Sequence, residues 1–233
     1  MKSVSWSPVI NAVTGDLNRL SSVWRYNSIP TSCYENDIEH LGWVCIYSLM
    51  IHKNLRPDDI YTVGAIATHA ISHDITESVT GDIIRTFKYS SPKLKQAINE
   101  AEEALATQFP KPIRQILDLH EEQLKEAGLI HELQYVRTVV KMADFMSLWM
   151  FMGRELDRGN RQILPYHDLM IEDLKQMRKN FPLPGDGSLP SLSIRGFYAA
   201  LANHSMLKRQ MMDSSYLVDY VGDPLFIDSE ADE

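Results

Sequence analysis

The chain has 233 residues, 44% hydrophobic and 23% charged, with a formal net charge of −8. That length can bury a sizeable core and suggests one domain with room for an appendage. The acidic balance argues against a nucleic-acid polymer as partner, because such binding rests on Lys and Arg neutralising phosphates, but it leaves room for a small phosphorylated ligand in a locally positive pocket. Cys33 and Cys45 make neither a CxxC pair nor a disulfide framework. The first residues lack the apolar run of a signal peptide, and no stretch approaches the roughly 18 apolar residues of a membrane span. The expectation is a soluble, cytoplasmic protein with no membrane partner.

Val9, Ile10, Val13, Leu17, Leu20 and Val23 recur at helical spacing and predict a first helix over 8–23. An irregular segment follows, in which Arg25 stands between Trp24 and Tyr26. A guanidinium there suits phosphate oxygens or a surface ion pair. Asn36 followed by Glu39 has capping-box spacing and opens a helix through Leu49 and Met50, with His40 near its start. A turn at Leu55–Asp59, with Asp58 or Asp59 able to cap, leads into a small and apolar helix over 59–73. That helix ends in His73-Asp74-Ile75-Thr76-Glu77 and then Ser78-Val79-Thr80-Gly81-Asp82. His69 shares a face with His73 and reads as a supporting or core group.

Residues 83–92, with Lys88, read as a loop; 93–107 as a charged amphipathic helix; 112–127 as one polar helix closed by Gly128. A long helix over 130–157 carries Asp144 between apolar neighbours, where a carboxylate is costly unless paired or bound to a metal. Lys141, three residues earlier, is its simplest partner. The second His-Asp pair, His167-Asp168, follows Pro165 with no apolar helix leading into it, and reads as chance. Residues 181–190 form a loop by composition, 191–211 look helical, and the acidic end 228–233 reads as disordered. No internal repeat, Walker motif or strand-like alternation is present, so the fold class is all-α.

His40, His73-Asp74 and Asp144 form the order H…HD…D, each on a buried or amphipathic helix. This resembles the HD-domain phosphohydrolases. The set is similar in particular to the bacterial YfbR-type 5'-deoxynucleotidases, through Arg25, Glu39-His40, the HDxxExxTGD run from His73 to Asp82, Lys88-Tyr89 and Lys141-Met142-Ala143-Asp144. The similarity covers about residues 12–155.

The resemblance implies a helical bundle whose catalytic core is 1–157; beyond it the expectation from the residues themselves is a helical and loop extension over 158–227 packed on that core, and an acidic disordered tail at 228–233. The resemblance also implies one divalent transition metal (Co, Mn or Zn, with Mg as a further candidate) on His40, His73, Asp74 and Asp144. Glu77 would orient or deprotonate water, Arg25 and Lys88 would hold the phosphate, Asp82 would accept from the sugar, and Tyr26 would stack on a base or pack in the core. The implied substrate is a deoxyribonucleoside 5'-monophosphate, and the implied assembly a homodimer or higher homo-oligomer. Two departures stand out: 158–233 has no counterpart in the family pattern, and Asn36-Asp37-Ile38 replaces the usual Ser-Val stretch before Glu-His. A deoxynucleoside triphosphohydrolase, a phosphodiesterase and a non-catalytic nucleotide-sensing module are the competing readings.

Overall fold

The computed structural model describes residues 5–83, 85–88, 90–180 and 191–213, so the expectations for 181–190 and for the acidic end lie outside the described residues. In chain order the helices are α1 (Ser7–Ala12), α2 (Asp37–Leu55), α3 (Val63–Ser72), α4 (Glu77–Thr80), α5 (Arg85–Lys88), α6 (Pro92–Gln108), α7 (Lys111–Leu117), α8 (Leu119–Glu126), α9 (Leu133–Asp157), α10 (Leu164–Asn180) and α11 (Ser191–Asp213). Among the described residues there is no strand, only one isolated antiparallel bridge, Trp24 to Asn36. The fold is all-α. No described helix is long and apolar enough to cross a membrane.

The caps expected from sequence are formed. Asn36 accepts from the Glu39 amide at 3.0 Å while the Glu39 carboxylate accepts from the Asn36 amide at 3.1 Å, closing the capping box of α2. Ser91 caps α6, with Pro92 at its first turn. Gly128 ends α8 at φ 72°, where the Leu129 amide reaches the Leu124 carbonyl at 2.7 Å in a Schellman pattern.

Several local expectations need correction. The first helix stops at Ala12 and passes into a π turn at Val13–Leu17 and a 3₁₀ turn at Leu20–Ser22. Thr14 and Ser21 bond backbone carbonyls there, a local alternative to the regular ladder. The helix expected from 59 begins at Val63, because the Asp59 carboxylate takes the Tyr61 and Thr62 amides in a turn of its own. The loop expected after Asp82 contains the one-turn α5, and the single helix expected over 112–127 breaks at Asp118 into α7 and α8.

α2, α3 and α9 pack around Val44, Ile66, Ala70, Val136, Val139, Val140 and Phe145, all buried. Apolar area removed from water at about 25 cal/mol per Å² is the main force holding these helices together. The small residues Ala65 and Ala70 give α3 two faces without bulk, so it fits between α2 and α9. α10 and α11 pair with each other and continue the same core through Met170, Leu174, Ile194 and Tyr198. Trp149 of α9 donates to Ser205 of α11 at 2.9 Å.

The segment before α2 is pinned by Glu155, which is fully buried near the end of α9. Its carboxylate accepts from the Ser32 amide at 2.7 Å, the Cys33 amide at 2.8 Å and Asn160 Nδ2 at 2.6 Å. Burial alone raises the pKa of this carboxyl, but the hydrogen bonds from Asn160, Cys33 and Ser32 outweigh it and hold it at about 2. A depressed folded-state value stabilises the fold above the ordinary glutamate range, and that contribution fades as pH falls from about 4.5 towards 2. Glu155→Ala is expected to cost about 3 kcal/mol by stranding these donors, read as a lower urea midpoint at pH 7, with the difference from wild type shrinking near pH 2.

Candidate active site

The site is assembled from three helices and the bridge segment. At the end of α3 the backbone tightens: the Ile75 amide bonds the Ser72 carbonyl at 3.2 Å, Glu77 bonds Asp74 at 2.9 Å and Ser78 bonds Ile75 at 3.1 Å. Such i→i+3 bonds nearly eclipse residues three apart, so Asp74 and Glu77 face the same way. Gly81 ends α4 at φ 69°, a conformation that L side chains rarely adopt. It turns the chain so that Asp82 Oδ2 accepts the Tyr26 amide at 3.0 Å.

Four side chains converge. Ligand-capable atoms of His40, His73, Asp74 and Asp144 all lie within 4.8 Å of one another. His40 Nε2 is 3.5 Å from Asp74 Oδ2 and 3.4 Å from Asp144 Oδ1, and His73 Nε2 is 3.3 Å from Asp74 Oδ2. The opposite ring nitrogens are engaged: His73 Nδ1 donates to the Ala70 carbonyl at 2.7 Å, and His40 Nδ1 lies 3.2 Å from Ser147 Oγ and 3.7 Å from Glu35 Oε1. Both Nε2 atoms are buried without a hydrogen-bond partner among the described residues. Two imidazole nitrogens aimed at one point, with two carboxylates beside them, fit a divalent transition ion better than an all-oxygen ion.

Burial alone lowers the pKa of His40, but the neighbouring carboxylates of Asp144, Asp74 and Glu35 outweigh it and raise it to about 10. Without a cation, a proton on His40 offsets the carboxylates. Burial raises Asp74 and Asp144, yet His73 and His40 for Asp74, and Lys141 and His40 for Asp144, pull both well below the usual carboxylate range. Lys141 bonds Asp144 Oδ2, so the ion pair expected from sequence and the ligand position coexist on the two oxygens of one carboxylate.

Arg25 completes the centre. Its Nη1 lies 3.2 Å from Asp74 Oδ2 and 3.4 Å from both Glu77 Oε2 and Asp37 Oδ1. Burial, then the charges of Asp74 and Asp37, push Glu77 up to about 10 against the pull of Arg25.

Lys88 lies apart from the expected contact, and Tyr26 takes the core alternative of its two readings. Lys88 Nζ is 2.7 Å from Glu102 of α6 rather than on the cluster. The Tyr26 ring stacks on Phe151 of α9 with centroids 4.0 Å apart, on a backbone held at φ 58°. Asp168 of the second His-Asp pair bonds Arg209 at 3.0 Å, away from the cluster. Three buried groups at the site escaped the sequence reading: Glu35, which pairs with Arg154, together with Asp37 and Ser147. The available signal was alternation. The bridge pairs Trp24 with Asn36, while the Arg25 amide reaches the Glu35 carbonyl and the Asp37 amide reaches the Val23 carbonyl. Residues 25, 35 and 37 therefore share one face, and Trp24 and Tyr34 the other.

Fold and site together define a helical HD-domain phosphohydrolase. The chain belongs to the YfbR-like 5'-deoxynucleotidase family, whose model matches residues 14–182. It is 30% identical over 155 residues to a 5'-deoxynucleotidase of Pasteurella multocida, spanning 63% of this chain and 75% of that one. It is 28% identical over 158 residues to a 5'-deoxynucleotidase of Yersinia pestis, spanning 64% and 75%. The HD phosphohydrolase of cyanophage S-2L, solved bound to dA and one catalytic Zn2+ ion, shares the fold at TM-score 0.55 and 18% identity, over 84% of this chain and 96% of that one. An HD-domain phosphohydrolase of Listeria innocua does so at TM-score 0.61 and 16% identity, over 88% and 93%.

Two outcomes follow from the geometry. Because a cation must displace the proton on His40, loading with manganese near pH 7 is expected to release about one proton or more, seen as buffer-dependent heat in calorimetry. Glu35→Gln, which weakens the hold on His40 Nδ1, is expected to lower manganese affinity by about 10–100-fold, measured by the same titration.

Proposed function

We propose that this chain removes the 5'-phosphate of deoxyribonucleoside monophosphates, giving deoxynucleoside and inorganic phosphate. The observation that carries this reading is the pair of partnerless imidazole nitrogens facing two carboxylates, with Glu77 and Arg25 on the same side. His40, His73, Asp74 and Asp144 would hold the ion, with Mn, Co or Zn the best match to the donor set. When bound, such an ion supplies a Lewis acid that lowers the pKa of water and draws charge from phosphoryl oxygen.

The residues around it divide the remaining work. Glu77, one turn beyond His73, is placed to take the proton from the attacking water. The field of Asp74, which helps to keep Glu77 protonated, falls once that carboxylate is neutralised by a cation. Arg25, always charged, binds phosphoryl oxygens and offsets the charge that builds on them. Asp82, fixed by the Tyr26 amide, accepts from the sugar hydroxyl. Lys88, paired with Glu102, is not engaged by the cluster, which leaves Arg25 as the cation on the phosphate. With two free cysteines, the protein suits a reducing cytoplasm.

Incubation with manganese, cobalt or zinc and matched dAMP, AMP and dATP tests the reading. Phosphate from dAMP, little from AMP, and no triphosphate from dATP is the expected pattern; triphosphate from dATP contradicts it. Glu77→Gln is expected to lower kcat by about 10²–10⁴-fold while manganese binding persists. A Gln variant of full activity removes Glu77 from the mechanism.

A further inference from the structure

Asp37 is a carboxylate to which nothing so far assigns a role. It is the first residue of α2 and is completely buried. Oδ1 lies 3.4 Å from Arg25 Nη1, and Oδ2 has no hydrogen-bond partner among the described residues. A buried carboxylate satisfied on one oxygen is destabilising unless a nearby positive charge or helix terminus offsets it. Both are present here: Arg25, and the positive end of the α2 dipole, in whose first turn Asp37 stands.

The three acids around Arg25 are not equivalent. Under the proposed function, Asp74 is a metal ligand and Glu77 attends the water. Each loses its claim on the guanidinium when the site is loaded. Asp37 is the one of the three assigned neither to the metal nor to the water. Its backbone is also tied to the strand that carries Arg25, through the bond from its amide to the Val23 carbonyl at 3.1 Å. The bridge places both side chains on the same face, two positions apart across the pair, within reach of a long side chain.

We propose that Asp37 is the positioning residue of the phosphate clamp: it keeps the Arg25 guanidinium at the phosphoryl position when Asp74 and Glu77 turn to the metal and the water. Without it, no acid holds Arg25 at that position once Asp74 and Glu77 are engaged, and the site meets the phosphate with a misplaced cation. The assignment rests on the reading of Arg25 as the phosphate ligand.

The sign of the effect makes it testable. If Asp37 acted only through its field, removing a negative charge beside an anion site would tighten phosphate binding. Positioning predicts the reverse. Inorganic phosphate is titrated into the manganese-loaded enzyme by calorimetry, and dAMP turnover is measured in parallel. Asp37→Val is expected to weaken phosphate binding by roughly tenfold or more and to raise KM for dAMP more than it lowers kcat. Asp37→Asn, which keeps an acceptor at nearly the same place and preserves the side-chain shape, is expected to fall between it and wild type. On an Arg25→Ala background neither change should add a further loss. Phosphate that binds as tightly as in wild type, or more tightly, overturns the assignment while leaving Arg25 in its role, and so does a loss that persists on the Arg25→Ala background. Loss of manganese binding in Asp37→Asn would instead place Asp37 in the metal site and overturn it too. Arg25→Ala with wild-type phosphate affinity removes the clamp itself, and this assignment with it.

Discussion

Negative charge crowded into a small volume is the constraint on which the rest of the structure depends. Glu35, Asp37, Asp74, Glu77 and Asp144 lie around one point in a helical core, and carboxylates taken from water cost several kcal/mol each unless opposed. The opposition comes from separate places in the chain. Arg25 serves three of the acids from the bridge segment, Arg154 holds Glu35 from α9, and Lys141 holds Asp144 from one turn away on its own helix. The balance still falls short by enough that His40 keeps a proton far above its usual range. A site in this condition is prepared for a cation before one arrives. The charge it lacks is the charge that binding supplies, and the geometry needs little rearrangement to accept it.

The apolar packing sets the distances at which those charges meet. His40 sits in the first turn of α2 with its ring wholly buried, and Ser147 and Asp144 come from one face of α9 because they are three residues apart. α3 reaches the same point only because its alanines allow it between the other two helices. The capping box at Asn36 and Glu39 holds the start of α2, and with it His40, at a defined height along the bundle. Energetically the site contributes little to holding the fold together; the core around Val136, Val139 and Phe145 does that, and it carries the cost of the buried acids.

Much of this could be read before any coordinates. The cluster of His40, His73, Asp74 and Asp144 was legible as an ordered set, each member on or at the end of a helix that reads as apolar, where a polar group needs a reason. α2, α6 and the end of α8 were legible through their caps. What escaped had one of two causes. The break at Asp118 depends on tertiary packing that local periodicity does not report. Glu35, Asp37 and the pairing of Lys88 with Glu102 depend on contacts set by a bridge of single residues and by helices distant in sequence. An alternation of two or three residues is too short to separate from chance. Tyr26 shows the same limit: its neighbour Arg25 was recognised, but the ring's packing on Phe151 comes from a helix 125 positions away along the numbering.

The bridge between Trp24 and Asn36 divides the chain around it into parts of unequal tolerance. Its register decides which side chains look inward. Sliding the 34–37 arm by a single residue while the other stays fixed would send Tyr34 into the site and Glu35 and Asp37 out to solvent. Insertions or deletions next to the paired residues should therefore be purged over evolutionary time. The span from Asn27 to Thr31 lies between fixed points, Tyr26 held by Asp82 on one side and Ser32 and Cys33 held by Glu155 on the other, with Ile29 packed on the core and the Pro30 carbonyl accepting from Asn160. Away from Ile29 and Pro30 it can change length and composition without disturbing the register, so related chains can acquire new loops at the rim of the site while the catalytic arrangement beneath stays the same.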